Sequence, residues 1–372
     1  MPLRVLIIPD KFKGTLAAHA AAGAIARGWH GARPHDSLDV LPMSDGGDGF
    51  GEVTGALLQA RTRCVGTVDA AHRPCVAKWW WEPRTRTAII ESASVVGLAM
   101  LLPKRFHPFQ LDTLGLGAVV RAAAERGASR CVMGIGGSAT NDGGFGLARA
   151  LGWHFLDHDG ELIERWTDLS QLASIRAPQR RRWFARCLVA TDVQNPLLGP
   201  RGATRVYGPQ KGLRPQDFAL AERCLGRLAQ VVERQFGHNF ARVPGAGAAG
   251  GLGFGLLAFL GADLQPGFDL FARHAGLARR LRAADVVITG EGSIDRSTLM
   301  GKGVGQIAQR CRRLRIPCIG LAGMVSASRG TTQPFAQTYA LTEITTARQA
   351  KAQPARWLER LARRACTLLA AG

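Results

Sequence analysis

The sequence predicts an α/β fold, with a Rossmann-like parallel-sheet domain formed by both chain ends plus a second inserted α/β domain. Three observations carry this. Near both termini, short and fully apolar runs alternate with helical stretches, the pattern of a parallel sheet covered on both faces. The middle of the chain changes style, with β-rich stretches broken by Pro, His and Arg turns. Finally, 372 residues, 46% of them apolar and 20% charged, are more than one ordinary core needs and suggest two.

Residues 5–9 (VLIIP) read as a buried parallel strand, and the Ala-rich residues 15–28 as the helix that follows. Residues 38–41 form the next predicted strand, 44–49 (SDGGDG) a turn and 50–61 a helix. Residues 64–71, 75–81 and 85–91 suggest an antiparallel meander. A helix over 112–126 leads into a strand at 130–135; 154–163 reads as a hairpin around 157–160, and 188–191 as one more buried strand. From 216 to 282 the pattern is mainly helical. The strand–loop–helix style then returns, with a strand at 285–289, a loop at 290–295, a helix at 304–314 and a strand at 317–321. The expected domains are therefore 1–62 with 283–372, and 63–282.

Composition excludes several classes. No apolar run approaches the ~20 residues of a membrane-spanning helix, and the N-terminus has no secretory signature, so a cytoplasmic protein with no membrane partner is expected. Eight cysteines show no C-x-x-C pair and no Cys/His cluster, and read as reduced structural residues. With 48 basic and 28 acidic residues the net charge is +20, a field that favours phosphate-bearing partners. The arginines are scattered without interleaved aromatics, so no specific nucleic acid is expected.

Five glycine- and acid-rich loops carry the candidate chemistry: 10–14 (DKFKG), 44–49 (SDGGDG), 134–144 (GIGGSATNDGG), 208–212 (GPQKG) and 290–303 (GEGSIDRSTLMGKG). Most follow strands, where open α/β sheets bind ligands. Their residue types suit phosphoryl transfer: glycines bring backbone N–H groups close to phosphate oxygens, lysines supply compact cations, and carboxylates hold Mg²⁺. Four of only seven lysines, Lys11, Lys13, Lys211 and Lys302, fall in these loops. Plainer readings stand beside these: Asn141 or Asp142 as a helix cap, Asp45 and Asp48 in Asx-turns, Asp192 in a turn.

Other signatures fail. Gly292 and Gly301-Lys302 are too far apart for a P-loop, and Ser138 lacks the G-x-S-x-G frame of a hydrolase elbow. Residues 245–250 (GAGAAG) fit G-x-G-x-x-G, but 240–243 make a poor preceding strand, so an NAD site rests on that match alone. His154 and His158 lie four apart in an exposed hairpin, a weak metal signal.

Taken together, PDKFKGTL (9–16), PMSDGGDG (42–49), GIGGSATNDGG (134–144), TDVQNPLLG (191–199), GPQKG (208–212), PGAGAAGGLG (244–253) and the GEG-x-x-D…GK stretch (290–302) resemble the bacterial glycerate kinase family. The match runs in the family's order over about residues 5–325. Asp48 stands where that family usually has Glu, Phe50 where it has Thr, Ser293 where it has Arg and Ser297 where it has Gln.

The resemblance implies a two-domain kinase taking ATP with Mg²⁺ and D-glycerate, with 2-phosphoglycerate favoured over 3-phosphoglycerate. The expected partners are these small molecules, with a homodimer allowed. The expected catalytic residues are Asp192, Asp295, Lys11 and Lys302, one of the two aspartates serving as base. Substrate and nucleotide contacts are expected from Asp10, Lys13, Ser44, Asp45, Gly46 and Gly47, and from Gly136, Gly137, Ser138, Thr140, Asn141 and Asp142. Gln210, Lys211, Gly290, Glu291 and Gly292 complete the set, with Asp45 and Glu291 as the Mg²⁺ candidates. The competing class is a nucleotide- or phosphate-sensing binding protein that uses the same loops without turnover.

Overall fold

The computed structural model describes residues 1–12, 14–103, 105–326 and 332–371. Strands β1 (Arg4–Ile7) and β2 (Ser37–Val40) open the chain, followed by β3 (Arg61–Val68), β4 (Pro74–Glu82) and β5 (Thr87–Glu91). Next come β6 (Arg130–Gly134), β7 (His154–Leu156), β8 (Ser174–Arg176), β9 (Arg186–Ala190) and β10 (Asp263–Gln265). β11 (Val286–Ile294), β12 (Cys318–Val325) and β13 (Gln337–Ala340) complete the set. The chain divides into two compact units, Met1–Asp45 with Phe268–Gly372, and Gly46–Gly267. Among the described residues, no helix is long and apolar enough to cross a membrane.

The first unit holds a five-stranded sheet in the order β13-β12-β11-β1-β2, parallel throughout. Its central strands bury consecutive residues, Val5, Leu6 and Ile7 on β1 and Val286, Val287 and Ile288 on β11, as a sheet covered on both faces requires. The helix Ala18–His30 contributes Ala21, Ala22, Ile25 and Trp29 to this core. Its Gly28 lies so close to the C-terminal helix Pro354–Ala371 that a Cβ would sit 2.1 Å from the Glu359 carbonyl oxygen. From β1 the chain steps to β2 on one side, whereas β11, β12 and β13 step away on the other. The order therefore reverses at the β1/β11 junction, where ligands of open α/β sheets gather at the strands' carboxyl ends.

One expectation is corrected here. Residues 290–294, read as a loop, continue β11, with Gly290 opposite Leu321 and Glu291 opposite Ala322 on β12. A Cβ at Gly290 would lie 2.2 Å from the Leu321 carbonyl oxygen, so this glycine permits close strand approach rather than a turn.

The second unit holds a six-stranded sheet in the order β10-β9-β6-β5-β4-β3. Its β5, β6, β9 and β10 are parallel, and β3, β4 and β5 form the antiparallel meander that the sequence suggested. The turn at 157–160 closes, with Asp157 N–H donating to the Glu161 carbonyl at 3.0 Å. The ladder partner of β7 is nevertheless β8, because that pairing sets Phe155 opposite Ile175, both buried. The helical stretch after 216 is likewise interrupted by the three-residue β10, too short to show a period.

The units' boundaries fall at 45/46 and 267/268, against expected cuts at 62/63 and 282/283. The helix Phe50–Leu57 seats its Gly51 and Gly55, one turn apart, on Trp80 of β4, where added Cβ atoms would come within 1.9 and 2.6 Å of the indole. At the other boundary, the helix Leu277–Ala283 ties itself to β2, its Arg280 guanidinium pairing with Asp39. Arg310 stacks over Phe268 at 4.8 Å. The G-x-G-x-x-G match at 245–250 follows the 3₁₀ turn Phe240–Arg242 instead of a strand, so the dinucleotide fingerprint has no βαβ context.

Candidate active site

In the first unit the candidate residues collect around the β1/β11 junction. Asp10 lies just beyond β1, and its backbone N–H donates to the Gly290 carbonyl at 2.8 Å. Burial and the neighbouring Asp45 carboxylate push Asp10 up to about 7, with Glu291 adding to the effect. Lys11 works the other way, its backbone N–H donating to Asp10 Oδ1 at 2.6 Å. Glu291, on β11, is also raised by burial, against the Thr298 hydroxyl donating to Oε1 at 2.7 Å and Lys302 Nζ at 3.5 Å from Oε2. Ser44 is buried, Gly290 is buried within β11, and Gly292 is half-buried. Lys13 lies outside the described residues.

Asp295 has a different setting. It caps the 3₁₀ turn Arg296–Met300, accepting from Ser297 N–H at 2.7 Å and from the Ser297 and Ser293 hydroxyls. These bonds, the Ser297 hydroxyl's first, hold its carboxyl below the usual range. The two serines that depart from the glycerate kinase pattern thus share one partner, Asp295.

The hard oxygen donors Asp10, Asp45 and Glu291 fit a magnesium ion, which is commonly held by one or two carboxylates while keeping several waters. Among the described residues no three His, Cys, Asp or Glu side chains converge at metal-ligand distance, so a site here would rest on a carboxylate pair plus water or phosphate oxygens. His154 is engaged instead by the Arg176 guanidinium at 2.9 Å.

In the second unit the loops interlock at the carboxyl ends of β5, β6 and β9. Gly136 N–H donates to the Gly46 carbonyl at 3.0 Å, and a Cβ on Gly136 would lie 2.7 Å from Gly47 Cα. Gly46, at φ 108°, packs against Ala190 at the end of β9. Asp192 follows two residues later, exposed, its Oδ1 accepting from Gly267 N–H at 3.1 Å. Glu91, at the end of β5, accepts from Gly49 and Gly51 N–H at 2.9 and 2.8 Å, holding the start of helix Phe50–Leu57. Sequence reading missed Glu91; its one signal is an acidic residue closing an apolar strand.

Within 134–144, Gly137 takes φ 79°, and Ser138, Thr140, Asn141 and Asp142 are all buried. The Ser138 and Thr140 hydroxyls are 2.9 Å apart, and Thr140 N–H donates to Ser138 Oγ at 3.1 Å. Asp142 Oδ2 accepts from Thr113 N–H, the Thr113 hydroxyl and Gly146 N–H at 2.9, 2.7 and 2.9 Å. Burial, reinforced by Asp112, pushes it up to about 6. Asn141 Nδ2 donates to Thr204 Oγ1 at 3.1 Å. Lys211 is buried, its Nζ donating to the Thr140 carbonyl at 2.6 Å, and burial lowers its ammonium to about 7 against the opposing charge of Asp142. Gln210, one residue earlier, is exposed.

Residues 5–370 match the glycerate kinase family. The chain is 38% identical over 327 residues to a glycerate kinase of Bacillus subtilis (strain 168), covering 87% of this chain and 86% of that one. It is 34% identical over 331 residues to the glycerate 2-kinase of Escherichia coli (strain K12), covering 88% and 87%. A crystal structure of a candidate glycerate kinase 2 from Salmonella typhimurium LT2 superposes with a TM-score of 0.84 at 33% identity, covering 100% of this chain and 99% of that one. The sheet topologies, the ordered loops and these likenesses agree, and the chain belongs to the glycerate kinase family, as a phosphotransferase with an alcohol group as acceptor.

Proposed function

We propose that the protein transfers the γ-phosphoryl group of ATP to the 2-hydroxyl of D-glycerate, giving 2-phosphoglycerate and ADP. The observation that carries this reading is the set of carboxylates at the β1/β11 junction, Asp10, Asp45 and Glu291, with Lys11 and Lys302 beside them. Phosphoryl transfer needs positioning and charge neutralisation more than covalent chemistry, and this set supplies both. Asp45 and Glu291 would hold Mg²⁺, which when bound offsets the charge on the phosphate oxygens. Lys11 and Lys13 draw the anionic substrates, and Lys302, steered by Glu291, neutralises charge on the transferring group.

The residues of 134–144, with Gly46 and Gly47, are assigned to the nucleotide phosphates, because the loop is built of small residues and presents the half-buried Gly136 and the exposed, left-handed Gly137 at its turn, where an anion can approach the backbone closely. Of the two candidate bases, Asp192 is favoured. Asp295 spends its oxygens on Ser293 and Ser297 and is held below the usual carboxyl range, which makes it a poor proton acceptor. Asp192 lies two residues beyond the buried strand β9, as a group presented to substrate at the sheet's carboxyl edge would. The test is a coupled ADP-release assay with Mg-ATP and D-glycerate, with the product identified by NMR. Turnover to 2-phosphoglycerate is expected. Formation of 3-phosphoglycerate overturns the regiochemistry, and ATP binding without turnover favours a phosphate-sensing protein.

A further inference from the structure

The helix Ala203–Lys211 touches the 134–144 loop at two adjacent residues. Thr204 and Lys211 are seven apart, two helical turns, so both project from one face. Both are buried. The Thr204 hydroxyl accepts from Asn141 Nδ2 at 3.1 Å, and Lys211 Nζ donates to the Thr140 carbonyl at 2.6 Å. The ammonium reaches that carbonyl past a stretch of unusual backbone. Ala249, Gly250 and Gly251 take φ of 55°, 72° and 86° inside Ala248–Leu260, and the Gly250 carbonyl accepts from Gly143 N–H at 3.1 Å. A Cβ on Gly250 would lie 1.9 Å from the Thr140 oxygen and 2.8 Å from Lys211 Nζ. The helix is itself held in place, since Tyr207 Oη donates to Asn195 Oδ1 at 2.6 Å and Ala203 N–H to the Leu197 carbonyl at 3.0 Å.

We infer that this helix is a clamp on the phosphate-binding loop, in which Thr204 and Lys211 are positioning residues that set the shape of residues 138–142 without touching the ligand themselves. This rests on the reading of that loop as the nucleotide cradle. It gives three motifs with no obvious common purpose, GIGGSATNDGG, GPQKG and PGAGAAGGLG, a single task. The lysine of GPQKG then acts on a backbone carbonyl rather than on a phosphate. A buried lysine with its Nζ on that carbonyl, and with Asp142 the charged neighbour that favours its ammonium form, fits a loop support.

Lys211→Met keeps the length of the side chain and removes its donor; Thr204→Val removes the hydroxyl, and Thr204→Ser restores it. Steady-state kinetics on the full chain with Mg-ATP and D-glycerate should show the ATP KM raised about tenfold or more in Lys211→Met and Thr204→Val. The kcat should change less, and Thr204→Ser should return the KM close to that of the parent. A packing role alone would lower the melting temperature and leave this KM split and its rescue absent. If Lys211→Met does not fold, the Thr204 pair still decides. A rise confined to the glycerate KM supports the clamp and overturns the nucleotide assignment of the loop. Unchanged KM values for both substrates in a folded Thr204→Val protein overturn the clamp.

Discussion

The two units differ in how fully they satisfy their buried carboxylates. At the β1/β11 junction of the first unit, Asp10, Asp45 and Glu291 are close enough that Asp10 is raised by its neighbours as well as by burial. In the second unit, Asp142 is likewise raised by burial and by Asp112, but its Oδ2 is filled by Thr113 and Gly146 donors, and buried Lys211 ends on the Thr140 carbonyl. A carboxylate whose acceptors are filled by N–H groups is structural. One kept near other carboxylates costs stability and is retained for what it can bind. The difference separates scaffold from chemistry among residues that look alike in sequence, since Asp10, Asp45 and Asp142 all sit in glycine-rich loops.

The sharpest way to break this comparison is to neutralise one aspartate in each unit. Asp142→Asn turns an amide toward donors that the carboxylate had satisfied, and should destabilise by about 3 kcal/mol or more in chemical denaturation. Asp10→Asn, at pH 8, should leave stability equal or higher, because it removes a charge that its surroundings disfavour, while lowering kcat about a hundredfold or more. Equal losses of stability in both variants would erase the distinction. Asp192→Asn sharpens it on the side of chemistry, with kcat expected to fall about a hundredfold, ~2.7 kcal/mol of barrier, at little change in ATP affinity. An unchanged kcat removes Asp192 from the role of base.

Gly51→Ala tests scaffold alone. With a Cβ 1.9 Å from the Trp80 ring, the helix Phe50–Leu57 must shift, at about 1–3 kcal/mol of stability, read from the denaturation midpoint. An effect of comparable size concerns pH. Lys211 titrates near 7 in the folded protein against 10.5 in its ordinary setting. Between those values the unfolded chain binds a proton that the folded chain does not, so stability rises with pH across that window and is penalised in full below it. Denaturation at pH 7 and pH 9 should show that increment in the parent and its loss in Lys211→Met.

Much of the architecture was legible in sequence. The apolar runs of β1 and of the start of β11, with helical stretches after them, announced a parallel sheet, and the β-rich middle announced the meander. Glycine was harder to read. Gly290 and Gly292 resemble a loop on paper, but they lie in β11, and at Gly290 the absence of a side chain lets β12 approach. Gly51 and Gly55 look like poor helix residues until Trp80 is seen against them.

By itself, the sequence determined the fold class, the family and the loops to which the chemistry is assigned in the proposal, because these depend on periodicity and on residue types at short spacing. Which acidic residues stand together, which are already satisfied, and that Lys211 and Thr204 grip one loop, only the tertiary structure decided. Those properties depend on burial and on partners tens or hundreds of residues away: Asp10 beside Glu291, Asp142 on Thr113, Lys211 on Thr140. No local pattern encodes the dielectric or the hydrogen-bond partner that a side chain meets once the chain has closed around it.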